Sequence, residues 1–98
     1  MTIETTLTDK TLTVKVSGRM DTTTAPQLEA ELKRKVGGNE TLILDFDNLE
    51  YLSSAGLRVV LAAQKVMNRQ GKMIVRHVNE TIMDIFEVTG FVDILTIE

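Results

Sequence analysis

Leu42-Ile43-Leu44-Asp45-Phe46 is a nearly continuous apolar run, and a few residues later the chain changes character at Tyr51-Leu52-Ser53-Ser54-Ala55-Gly56-Leu57-Arg58. A run of that kind reads as a buried central strand, because apolar residues without a polar alternate leave little to offer water. From Leu57 to Gln70 the apolar residues recur with a helical period, and Gly71 stands where a C-terminal glycine ends a helix. A central strand that hands over to a long helix commits the chain to an α/β architecture. Two small hydroxyl residues sit at the handover, where free backbone N–H groups and the positive end of a helix dipole gather.

The flanking segments fill in that architecture. Ile3, Thr5 and Leu7 alternate with polar residues, as do Leu12, Val14 and Val16, with Asp9-Lys10 between them, so a β-hairpin opens the chain. Thr24 and Gln27 have the spacing of a capping box, with Pro26 in the first turn of the helix that follows. Leu28, Leu32 and Val36 recur on one face of that helix; Glu29/Lys33 and Glu31/Lys35 support its outer face. Gly37-Gly38-Asn39 ends it. Met73-Ile74-Val75 is a further apolar strand running into Arg76-His77-Val78. Asn79 caps a third helix, Val78 and Met83 are placed as a hydrophobic staple around that cap, and Ile82, Ile85 and Phe86 form its apolar face. Gly90 closes that helix, and Val92 to Ile97 reads as a last strand. The expected order is β-β-α-β-α-β-α-β: a mixed central sheet with an N-terminal hairpin followed by αβαβαβ, the helices packed on the sheet and the later strands parallel.

Residues 1–98 fit one small domain. The formal net charge of −3, with no Lys/Arg run, argues against direct contact with nucleic acid. The absence of cysteine excludes disulfides and thiolate metal sites. The first residues lack the basic flank and apolar stretch of a signal peptide, and no apolar run approaches the roughly 20 residues that span a bilayer. A cytoplasmic protein without membrane insertion is the expectation.

At about 100° per residue, Val59, Val60, Ala63, Val66 and Met67 share the core side of the helix after the serines. Arg58, Gln64, Lys65, Asn68 and Arg69 share the other side, and Leu57 and Leu61 fall within that polar arc. Two leucines on a wet face form either a docking patch rimmed by Arg58 and Lys65 or a surface covered by a neighbouring loop. Ser53 and Ser54 are each either an N-cap or a phosphoacceptor. A phosphate there would add about −1.5 to −2 charge, which the helix N-terminus tolerates and a docked apolar or acidic partner does not.

Catalytic arrangements fail. Leu52-Ser53-Ser54-Ala55-Gly56 lacks the first glycine of a nucleophile elbow, and the single histidine, His77, reads as a partly exposed strand residue with nothing to bring it near Ser54. No phosphate-cradling loop with a lysine is present. Asp45 and Asp47 suggest a phosphorylated receiver aspartate, but the acidic pair and the late lysine of that design are missing, and Asp47 reads as a turn residue. No enzyme, cofactor or metal is expected.

Three segments carry a resemblance. Gly18-Arg19-Met20-Asp21, the block from Asp45 through Leu49 and Ser53-Ser54-Ala55-Gly56 to Leu57, and Phe86-Glu87-Val88-Thr89-Gly90-Phe91 stand in the order and spacing of the STAS domains, and the chain resembles in particular the bacterial anti-sigma factor antagonists. The resemblance implies a partner switch. The dephosphorylated antagonist binds an anti-sigma factor that is also a serine kinase, phosphorylation at the second helix releases it, and a PP2C-type phosphatase restores the serine. Matched by position, Ser54 is the implied acceptor with Ser53 competing, and Asp21 lies in a loop sharing the docking surface with Ser53, Ser54, Gly56, Leu57, Arg58, Leu61 and Lys65. The chain departs from the family with Ser53 where aspartate is frequent, Ala55 where a second hydroxyl often follows, and Arg58 where glycine is common. The alternative within the family is a constitutive, unphosphorylated interaction subunit of a transporter or sensory complex.

Overall fold

In the computed structural model, which describes residues Met1–Glu98, the hairpin forms as its alternation requires. Strands β1 (Thr2–Thr8) and β2 (Thr11–Met20) pair antiparallel from Thr2↔Ser17 to Thr8↔Thr11. Asp9 adopts a left-handed φ of 54° in the turn, a conformation that aspartate tolerates. Helix α1 (Ala25–Lys35) then leads to β3 (Thr41–Leu52), helix α2 (Ser54–Gln70) to β4 (Lys72–Arg76), and helix α3 (Glu80–Thr89) follows. β3 lies parallel to both β2 and β4, giving a four-stranded mixed sheet in the order β1-β2-β3-β4. Two parallel crossovers stepping the same way across a sheet, each right-handed, leave their helices on one face. Accordingly, one continuous core joins Leu12, Val14 and Val16 of β2, Leu42, Leu44 and Phe46 of β3, Met73 and Val75 of β4, and the inward faces of all three helices.

The central strand is therefore covered on one side only. Leu42, Leu44 and Phe46 are buried while Ile43 and Asp45, on the opposite face, are half-buried. The registers align Glu4, Lys15, Asp45 and Arg76 across that open face, so neighbouring strands present alternating charge. β3 also runs longer than its apolar stretch: it carries an extra residue against β2 around Asp47, which is a strand residue at a bulge rather than part of a turn.

His77 lies just past β4, with a left-handed φ of 59°, and its Nδ1 donates to Asp45 Oδ1 at 2.9 Å. Partial burial works to raise the Asp45 carboxyl. The His77 hydrogen bond, the Asp47 amide at 3.0 Å and the charges of His77 and Lys15 outweigh it and hold the group below its ordinary 3.8. A depressed carboxylate stabilises the fold above its unfolded value and loses that contribution as pH falls through its folded value. Asp45→Asn is expected to flatten the acid limb of the stability curve below pH 3.8 and leave the curve near neutrality parallel to wild type, as read by circular dichroism during acid titration.

The last strand does not form. Gly90 takes a left-handed φ of 80°, and Phe91–Asp93 coil into a short 3-10 turn in which Asp93 and Ile94 donate to Gly90 and Phe91 carbonyls. This turn stacks Phe91 on Phe86, with ring centroids 6.3 Å apart, and delivers Leu95 to the core. Only Val75↔Ile97 remains as a parallel bridge beside β4, held by Val75 N–H to Thr96 O and Glu98 N–H to Val75 O, both 2.9 Å. The apolar residues at 92, 94, 95 and 97 imitate a strand, but stacking Phe91 and burying Leu95 requires a tighter path. Asn79 caps α3 as expected, accepting from Ile82 N–H at 2.9 Å, and its amide also donates to Leu49 O at 2.7 Å.

Candidate functional site

The ends of β2 and β3 converge where α2 begins. Ser53 N–H donates to Met20 O at 2.8 Å, and the buried side chains of Met20 and Leu52 form the seat on which the first turn of α2 rests. Gly56 makes that contact possible, because a Cβ there would lie 2.5 Å from Leu52 Cδ1 and 2.9 Å from Met20 Sδ. Gly56 is thus buried packing under the site, not a surface contact.

Ser53 occupies the N-cap in an extended conformation (φ −86°, ψ 176°), its Oγ accepting from Gly56 N–H at 3.4 Å. Ser54 is the first helical residue and is exposed. The two hydroxyls therefore differ: one closes the helix start, the other faces water at the positive end of a 17-residue helix.

The loop between β2 and α1 stands beside this corner. Asp21 Oδ1 accepts from the Thr23 and Thr24 amides at 3.0 and 3.1 Å, while Thr24 Oγ1 accepts from Asp21 N–H and donates to Arg19 O. The Thr24 amide, against a desolvation penalty and with help from Thr23, the Thr24 hydroxyl and Arg19, holds the Asp21 carboxyl below its ordinary range. The expected Thr24–Gln27 capping box is absent: Thr24 already has helical torsions and makes no side-chain cap bond, because Asp21 has recruited its hydroxyl. Asp21 is the organiser of this loop. Arg19 lies over the Tyr51 ring, 4.4 Å from its centroid, on the same strand ends. The sequence alone gives neither residue a role of its own, although a β3 extended to Leu52 would have paired them.

Along α2 the exposed Ser54, Arg58 and Lys65 and the half-buried Leu61 fall on one stripe, at i, i+4, i+11 and i+7. Leu57 is half-buried beside that stripe and packs against the core. Two expected assignments exchange places. Val66, read as core, is 40% exposed; Gln64, read as polar surface, is 6% exposed, with its Nε2 donating to Asn68 Oδ1 and its Oε1 unpartnered. The helix is rolled toward the side carrying Gln64, which opens a groove against α1. Its end nearest Ser54 is a cleft of about 140 Å³ lined by Thr22, Ala25, Pro26, Glu29, Ala55, Arg58 and Val59. The structure thus brings together Asp21's loop, Ser53, Ser54, Arg58 and Leu61; Lys65 lies about 16 Å along the helix from Ser54. No group of three or more His, Asp or Glu side chains is placed to hold a metal ion, and no helix is long and apolar enough to cross a membrane.

This fold and corner have counterparts. Residues 2–98 match the STAS domain family. The chain is 33% identical over 97 residues to the anti-sigma-B factor antagonist of Staphylococcus aureus, covering 97% of this chain and 90% of that one. Among solved structures, an anti-sigma factor antagonist from Mycobacterium paratuberculosis superposes with a TM-score of 0.89 at 25% identity, covering 98% of this chain and 83% of the other. Unphosphorylated SpoIIAA superposes at 0.84 with 20% identity, covering 99% and 88%, a likeness of fold. The chain belongs to the STAS domain family, with the bacterial anti-sigma factor antagonists. Those relatives are binding proteins, and this chain is not an enzyme.

Proposed function

We propose that the chain is a partner-switching antagonist acting as a single cytoplasmic STAS domain: unphosphorylated, it binds an anti-sigma factor that is also a serine kinase, and phosphorylation of Ser54 releases it. One observation carries the choice of serine. Ser54 is exposed at the first position of α2, whereas Ser53 is half-buried and engaged as the cap. In the transfer, Ser54 Oγ attacks the γ-phosphorus of ATP, the bond to the β-phosphate oxygen breaks, ADP leaves and the hydroxyl proton passes to the kinase. A PP2C-type phosphatase reverses the modification by hydrolysis. The partner covers the stripe of Ser54, Arg58 and Leu61 together with the Asp21 loop. The SpoIIAA fold has also been solved in a phosphorylated form, which supports a phosphate being compatible with this architecture.

Incubation with the cognate kinase and ATP, followed by mass spectrometry, is expected to place one phosphate on Ser54. Phosphate confined to Ser53 would overturn the assignment. No phosphate on either serine would favour a constitutive interaction subunit.

A further inference from the structure

We propose that Arg58 captures the phosphate once Ser54 is phosphorylated, forming a pair within α2 that withdraws Arg58 from the partner-facing surface. The inference rests on the reading of Ser54 as the acceptor and adds a second action to the switch. Residues four apart on a helix are neighbours, with Cβ atoms about 5–6 Å apart, and an anion N-terminal to a cation is the favourable order. Ser54 and Arg58 are so placed, both exposed, on the stripe described above. A guanidinium can take two phosphate oxygens at once, giving a stronger bond than a single ammonium contact.

Arg58 is free for this task. It enters no ion pair, and the acids of the α1 cleft and the β2–α1 loop beside it are engaged elsewhere. Glu29 of α1, which lines the same cleft, pairs with Lys33 at 3.8 Å. The Asp21 carboxylate is taken up by the Thr23 and Thr24 amides. Arg19 is held over Tyr51, and Lys65 is nearly two turns further along α2, so Arg58 is the cation nearest to Ser54 along the helix. Arg58 lines the cleft beside the small side chains of Thr22, Ala25, Pro26 and Ala55. Phosphorylation then changes the surface twice, by adding an anion at position 54 and by removing a cation at position 58.

The test installs phosphoserine at position 54 during translation, so it does not depend on any kinase. Titration followed by ³¹P NMR reads the second ionisation of the phosphate in wild type, Arg58→Ala and Arg58→Lys. The wild-type phosphate is expected to hold its last proton about three- to fivefold more weakly than in Arg58→Ala, with Arg58→Lys between them. Superimposable titrations of wild type and Arg58→Ala would overturn the capture. A normal capture in a protein that the kinase fails to modify at Ser54 would instead overturn the proposed switch and leave the pair standing.

Discussion

Ser54→Asp is expected to weaken binding to the anti-sigma factor by roughly 30- to 4,000-fold while leaving the melting temperature within about 2 °C of wild type, as measured by titration calorimetry and thermal circular dichroism. The asymmetry follows from where Ser54 sits. As the first residue of α2 it faces water, so an added carboxylate meets the open amides and positive dipole of its own helix and costs the fold nothing. In the proposed complex the same charge is taken out of water beneath a partner covering Leu61 and the Asp21 loop. An unpaired charge buried in an interface costs about 2–5 kcal/mol, and each 1.4 kcal/mol is tenfold in affinity. Ser54→Ala should keep near-wild-type affinity. Equal binding by the aspartate variant would exclude Ser54 from the interface.

Gly71→Ala is expected to destabilise the protein by about 3 kcal/mol, lowering the melting temperature by roughly 12–24 °C in a domain of this size. Gly71 ends α2, its N–H donating to Met67 O at 2.7 Å, and the chain there turns directly against the segment before β3. A Cβ at this position would lie 1.8 Å from Glu40 O and 2.7 Å from Glu40 C. No flexible side chain can yield, because the obstruction is backbone held on both sides. Glu40 N–H donates to Lys10 O at 2.9 Å, and Glu40 O accepts from Lys72 N–H at 3.0 Å. Relief would cost the entry of β3 and β4 into the sheet. Gly37→Ala is the control: nothing lies within 4 Å of a Cβ there, and its effect should stay within about 0.5 kcal/mol. Urea denaturation of both variants gives the comparison, and a similar midpoint for the two would show that the Gly71 approach can relax.

The features legible in the sequence were those set by local chemistry. The hairpin, the three helices, the N-cap at Asn79, the glycines closing α2 and α3, and the ion pairs Glu29–Lys33 and Glu31–Lys35 all formed. Each follows from residues near one another in sequence, whose torsions and hydrogen bonds answer mainly to local chemistry. The misreadings arise where a competing contact overrode the local pattern. Thr24 lost its capping role to Asp21, which offered its own amide and carboxylate to the same hydroxyl. Gln64 and Val66 exchanged environments because the roll of α2 about its axis answers to α1 and the sheet, not to helical period. Val92 to Ile97 has the apolar content of a strand, yet the Phe86–Phe91 stack and the burial of Leu95 selected a 3-10 turn.

The candidate site divides the same way. The sequence alone determined that a strand would meet a helix at Ser53-Ser54, since an apolar run followed by small hydroxyl residues and a helical period admits little else. It determined Arg58 one turn onward, where the period alone makes it a neighbour of Ser54. The tertiary structure decided which serine faces outward, by seating Gly56 on Met20 and Leu52 and so turning Ser53 into the cap. It also set the Asp21 loop and the α1–α2 cleft beside that corner, and left one face of the sheet open. Those outcomes depend on how close two backbones come and which way the crossovers step, quantities that no local pattern of residues encodes.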